Sequence, residues 1–233
     1  MSIPFYEKIK NISLARLFFL VFGVIFFCAA FCFSGCKKNI DYFSYVSELR
    51  NNIFIAENEE FSLRIHSVIK EVPYAADGIA HEQTALTEIY LIAPNTTKNY
   101  QLKMQVGEKE YGGELSFDNV KTEYFLSFSL NISNLKELTC DIIFEDSVVS
   151  LTAISVLHNE TLSPKEILSC VQAYNPNVFT NLTDKYGFAG EIHLRLLYED
   201  SPYYYVGVIN RSGDIHAFLV NATNGKVLAE RTP

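Results

Sequence analysis

Two serine–lysine pairs are the first residues that invite a chemical reading. Ser67-Val68-Ile69-Lys70 and Ser133-Asn134-Leu135-Lys136 both fit S-x-x-K. On a helix that spacing places the lysine one turn from the serine, where it can activate the hydroxyl for acyl transfer. Ser67, however, follows the alternating run Phe61, Leu63, Ile65, and alternation sends Lys70 to the opposite face of a strand. Ser133 falls at a strand end, and no K-T-G follows either pair. The histidines are His66, His81, His158, His193 and His216, and none stands three or four residues from another or from a cysteine. That spacing offers no metal-ligand pattern. His193, beside Arg195, and His216 are expected on the solvent-facing sides of strands. The chain also lacks G-x-S-x-G, H-E-x-x-H, C-x-x-C, a phosphate-cradling glycine loop and a D-x-D-x-D-G calcium loop. The expectation is a protein that is not an enzyme and that uses no metal and no cofactor.

Two further features bear on binding. In Tyr203-Tyr204-Tyr205, alternation puts Tyr203 and Tyr205 on one face and Tyr204 on the other. Tyr203 and Tyr205 are therefore a possible binding surface for a peptide or glycan, set against ordinary core and cross-strand packing. Cys140 and Cys170 are either a staple between two domains or buried free thiols. The formal net charge of -8 argues against a nucleic-acid partner, which needs a basic face.

The elements that position these residues begin with a leader. Leu17 to Phe33 carries no charge, and Lys8, Lys10 and Arg16 precede it. Positive flanks hold the N-terminus in the cytoplasm and send the acidic body outward. The run closes with Phe33, Ser34, Gly35 and Cys36, and two lysines follow. Small residues before a cysteine suit a peptidase that cleaves ahead of a lipid-modified thiol. These four residues resemble the lipobox of bacterial lipoproteins, with Phe33 where that pattern usually has Leu. The resemblance implies that residues 1–35 are a signal peptide recognised through Phe33, Ser34 and Gly35. Cys36 would then carry acyl chains that anchor the protein to the extracytoplasmic face of the cell membrane. The alternative is an uncleaved single span, on which Cys28, Cys32 and Cys36 form a small-residue stripe.

Behind the leader, Tyr42, Tyr45, Val46 and Leu49 stand at helical spacing, so residues 36–52 read as the anchor and a short lead-in helix ending at Asn51-Asn52. From 53 to 157 the period becomes two. Tyr100, Leu102, Met104 and Val106 share one face, as do Tyr124, Leu126, Phe128, Leu130 and Ile132. Turn residues at Pro94-Asn95, Gly112-Gly113, Asp118-Asn119 and Glu145-Asp146 separate seven or eight such strands. The pattern reads as an antiparallel β-sandwich-like domain.

Residues 158–233 read as a small α+β domain. Ser163-Pro164-Lys165-Glu166 is a capping box that opens a helix with Ile167, Leu168, Val171 and Tyr174 on its buried stripe. Asn175-Pro176 ends it. Strands follow at 191–198, 203–210, 214–220 and 226–231, with turns at Arg211-Ser212-Gly213 and Thr223-Asn224-Gly225. Val220, Ala222, Gly225, Lys226 and Val227 resemble the final hairpin of a PepSY-type repeat, with Asn221 in place of the usual Asp. The resemblance implies a helix on an antiparallel meander that modulates peptidases or partner proteins outside the cytoplasm. The expected class is mainly β with α+β. The expected function is a membrane-anchored, non-catalytic binding or regulatory module for a protein or peptide. The alternatives are a passive structural role in the envelope and an inhibitor-like protein acting on a peptidase.

Overall fold

The computed structural model describes residues 40–75 and 81–233. The expected signal peptide, its recognition residues and Cys36 lie outside the described residues. Among those described, no helix is long and apolar enough to cross a membrane.

The body is mainly antiparallel β-sheet. Its strands are β1 (Val46–Glu57), β2 (Ser62–Glu71), β3 (Gln83–Ile92), β4 (Gln101–Val106), β5 (Lys109–Glu114), β6 (Ser116–Asp118), β7 (Glu123–Phe128), β8 (Glu137–Phe144), β9 (Ser147–Ser155), β10 (Gly190–Tyr198), β11 (Pro202–Asn210), β12 (Ile215–Asn221) and β13 (Val227–Arg231). One path runs β13-β12-β11-β10-β1-β2-β3-β7-β6. All its neighbours are antiparallel except β1 and β10, which run parallel. At its far end β1 turns to a third partner: Phe54 pairs with Ser155 and Ile55 with Ile154 of β9. From β9 the ladder continues through β8 and β4 to β5. The sheet thereby curls until it is nearly closed.

Alternation explains what fills the curl. Leu102 and Met104 of β4 point in and are buried, while Gln101, Lys103 and Gln105 are exposed. Phe54, Phe61, Leu63, Ile65, Ile89, Leu91, Tyr100, Tyr124, Cys140 and Ile142 join the same core. Each such side chain contributes roughly 1.5–3 kcal/mol by leaving water. A second apolar layer lies under helix α1 (Pro164–Tyr174) and the short α2 (Pro176–Thr180), where Ile167, Leu168, Val171 and Phe179 are buried. The capping box forms as expected: Ser163 Oγ accepts from Glu166 N, and the Glu166 carboxylate accepts from Ser163 N at 2.8 Å. Tyr174 departs from the expected stripe. It is exposed, with its ring edge-on to Phe218.

Three sequence expectations are corrected. The lead-in helix is only a 3₁₀ turn at Tyr42–Tyr45, capped by Asp41, and β1 starts at Val46. Tyr42, Tyr45, Val46 and Leu49 satisfy a helical period, but a ten-residue helix is marginal by itself. Pairing with both β2 and β10 satisfies the same backbone, and Asn52 is a buried strand residue rather than a helix stop. The expected strand at 124–132 ends at Phe128. Beyond it, side chains take over the backbone carbonyls: Thr87 Oγ1 donates to Leu130 O, and Asn52 Nδ2 donates to Ser133 O and, at 3.4 Å, to Leu135 O. Gly112-Gly113 is not a turn but part of β5; the β4–β5 connection is Gly107-Glu108. A Cβ on Gly112 would stand 1.9 Å from the Leu102 carbonyl oxygen, so this glycine lets two backbones approach.

Candidate functional site

The polar residues of three strands converge where β1 lies between β2 and β10. The parallel ladder sets Glu48 opposite His193 and Arg50 opposite Arg195, and the antiparallel ladder sets Glu48 opposite Lys70. Register shifts interrupt β1 between Val46 and Glu48 and between Arg50 and Asn52. Such bulges bend a strand and re-aim its side chains. Between them, this stretch borders a cleft of about 450 Å³. Ser47 and Glu48 line it from β1, Lys70 and Glu71 from β2, and His193 and Arg195 from β10. Val72, Pro73 and Tyr74 complete the wall.

Most charges in this region are paired. Arg195 donates from Nε to Glu48 Oε1 at 2.7 Å and from Nη2 to Glu48 Oε2 at 2.5 Å, a two-pronged contact. Lys70 Nζ donates to Glu88 Oε1 at 2.5 Å, and Tyr90 donates to the other Glu88 oxygen. Arg50 Nη1 donates to Leu196 O at 3.3 Å. Glu191, wholly buried, accepts from Ser47 Oγ at 2.6 Å and from the Tyr74 hydroxyl. Glu71 is 3% exposed and accepts from His81 N at 2.7 Å through Oε1. Its Oε2 has no hydrogen-bond partner among the described residues.

The electrostatics follow from burial and these pairs. Burial pushes the Glu48 carboxyl up, but the hydrogen bonds and charge of Arg195 outweigh it and leave the group below the usual range. Burial likewise pulls Arg195 down, yet Glu48 holds it above its ordinary value. Burial lowers His193, and the adjacent Arg195 charge lowers it further against the pull of Glu48, Glu191 and Glu71. The Arg195 contact also fixes the ring's tautomer. A guanidinium only donates, so at 3.3 Å His193 Nδ1 must accept, and the neutral ring carries its proton on Nε2. That nitrogen is buried without a hydrogen-bond partner among the described residues, 3.9 Å from Glu191 Oε2. His66 behaves more simply: burial, then Arg50 and Arg64, pull it to about 2, and its ring lies against Tyr90.

The residues singled out by sequence are thus redistributed. His193 and His216 are not solvent-facing. The His193 side chain is 13% exposed, and His216 stacks on Phe218 and bonds Glu230 at 2.6 Å. Tyr204 is buried while Tyr203 and Tyr205 are half-buried on the other face of β11, and the Arg195 guanidinium lies over the Tyr205 ring. Ser67 is buried in β2, and Lys70 is committed to Glu88. Cys140 and Cys170 are free thiols; burial pushes Cys140 up to about 12. No group of three His, Cys, Asp or Glu side chains among the described residues is placed to hold a metal ion. A second cleft of about 390 Å³ lies at α2, β11 and β12 and is lined by Asn175, Asn177, Asn181 and Asn210. Its groups are largely engaged, with Asn175 bound to Glu230 and Asn210 to Asp214.

The main cleft escaped the sequence reading because its parts are distant: Glu48 and Arg195 are 147 residues apart. A signal existed in Glu48 with Arg50 and His193 with Arg195, polar pairs at i, i+2 inside apolar strands. A solvated strand face has the same pattern. No family model, curated protein or solved structure matches the chain.

Proposed function

We propose that this chain is a membrane-anchored extracytoplasmic lipoprotein whose body is a non-catalytic binding or regulatory module. In this reading residues 1–35 are removed as a signal peptide, after recognition of Phe33, Ser34 and Gly35, and a lipid on Cys36 holds the protein at the membrane. Residues 53–157 are then the sandwich-like part. The helix α1 on the meander β10–β13 forms the PepSY-like part, whose resemblance favours a protein or peptide partner. Tyr205 adjoins the binding region, its ring under the Arg195 guanidinium, and Tyr203 shares its face of β11.

One observation carries the binding reading. In the cleft on β1, β2 and β10 Lys70 and Arg195 are paired with Glu88 and Glu48, while among the described residues Glu71 Oε2 and His193 Nε2 are buried and unsatisfied. Unsatisfied buried polar atoms are costly, about 1–3 kcal/mol each, and a site that awaits a ligand accounts for them. The anchoring half is tested by the intact mass of the N-terminal peptide from membranes, beside Cys36→Ala. A lipid-modified Cys36 with residues 1–35 gone supports it, and an unmodified peptide retaining Met1 replaces it with a single-span protein. The binding half is tested by capturing surface-extract components on the full-length protein in detergent. Saturable capture that Arg195→Ala weakens supports it. Capture that no cleft substitution alters would transfer the proposal to a passive envelope role.

A further inference from the structure

The cleft also indicates the chemistry of what it holds. Four carboxylates, Glu48, Glu71, Glu88 and Glu191, face three cations, Arg50, Lys70 and Arg195, in the region around it. Glu48 and Glu88 have direct ion pairs, whereas among the described residues Glu71 and Glu191 accept from neutral donors. The formal count over these described side chains is one negative charge in excess, and a buried charge without a counter-charge is strongly unfavourable. A cation at the cleft would compensate it. A metal ion is a poor candidate, because no three metal-ligating side chains among the described residues converge. The same small cleft also holds an unsatisfied donor, since the His193 tautomer set by Arg195 leaves a proton on Nε2. The ligand therefore needs a cationic donor for Glu71 and, close to it, an acceptor for His193. Beside these groups stand Val72 and Tyr74, apolar and about half exposed. They offer a wall for an aliphatic side chain.

An α-ammonium one carbon away from a carbonyl meets all three demands. We infer that the cleft binds the free amino terminus of a peptide, with its α-ammonium at Glu71 Oε2, its first carbonyl oxygen at His193 Nε2 and an apolar first side chain against Val72 and Tyr74. This rests on the binding reading above and narrows it. Terminal-amine capture is an established mode of peptide recognition. A free amino acid presents the same ammonium but carries a carboxylate in place of the first peptide carbonyl, and the negative surplus at the cleft disfavours that charge.

The test is calorimetric titration of the full-length protein in detergent with three probes: Leu-Ala-Ala amide, its N-acetylated form and free leucine. The expected result is saturable binding of the free-amine tripeptide, at least tenfold weaker binding of the acetylated one, and weaker binding of leucine than of the tripeptide. Glu71→Gln should weaken the tripeptide by a similar factor, and exposed Glu145→Gln should leave it unchanged. The acetylation contrast uses the unaltered protein, so it decides the matter even where Glu71→Gln fails to fold. Equal binding of both tripeptides overturns the amino-terminus inference and leaves the binding module standing. Leucine binding more tightly than the tripeptide reassigns the site to a free amino acid. Binding of none of the three overturns the inference, and the surface-extract capture then decides separately whether the binding module survives.

Discussion

The two halves of β1 are built to opposite specifications. Its first half, 46–50, lies between β2 and β10, is broken by bulges and carries Ser47 and Glu48 into a charged cleft. Its second half, 53–57, lies between β2 and β9 and buries Ile53, Phe54 and Ala56. Asn52 stands at the junction. Its side chain donates to Ser133 O, and its Oδ1 accepts from Ser155 Oγ at 2.8 Å. One strand therefore serves as scaffold at one end and as site at the other. The rigid end holds the polar end in register, the arrangement by which a binding site gains precision from regular structure.

The largest expected effect falls on the scaffold half. Phe54→Ala removes a fully buried ring from the curled core and should cost about 3–5 kcal/mol in chemical denaturation. A loss under 1 kcal/mol would mean that this half is not the scaffold.

Next comes His66, which pairs with Ile53 at the boundary between the halves. Its folded pKa, about 2, lies far below the unfolded value of about 6.5. At acid pH the unfolded chain takes up a proton that the folded chain refuses. The stabilisation is therefore complete above pH 6.5 and is lost as pH falls from there toward 2. This one group should remove about 2 kcal/mol by pH 5. His66→Phe keeps a ring against Tyr90 and discards the unsatisfied Nδ1, so it should leave stability at pH 7 little changed and flatten the acid loss. Parallel acid profiles for the two proteins would refute this assignment.

In the site half, Arg195→Met strands Glu48 and should cost about 1–2 kcal/mol, since the pair is only partly shielded from water. Adding Glu48→Gln should restore part of the loss in a double-mutant cycle. Strict additivity would deny the pair any coupling. The smallest effect, about 1 kcal/mol, is expected for Ser163→Ala, which removes the α1 cap. Thermal unfolding checks it, and ligand binding at the cleft should not change.

How far the sequence revealed this contrast depended on the range of the interactions. The α1 start, the four strands of the meander and the in–out alternation of β4 were legible, because capping, turns and alternation are local. β1 was misread because Tyr42, Tyr45, Val46 and Leu49 fit a helix, and only pairing with β2 and β10 overrides it. Residues 129–132 kept an alternating pattern, yet the Leu130 carbonyl was claimed by Thr87 and the Ser133 carbonyl just beyond by Asn52, both distant in sequence. The cleft was least legible of all. His193 and Arg195 looked like a solvated strand face until Glu48, from the far end of the chain, took the guanidinium.

Hydrogen–deuterium exchange on the full-length protein, with and without saturating Leu-Ala-Ala amide, tests the division of β1 most directly. The account predicts slowed exchange at 46–50, 70–74 and 190–195, with 53–57 unchanged. Slowing at 53–57, or at 175–181 and 208–216 around the asparagine-lined cleft instead, would contradict it.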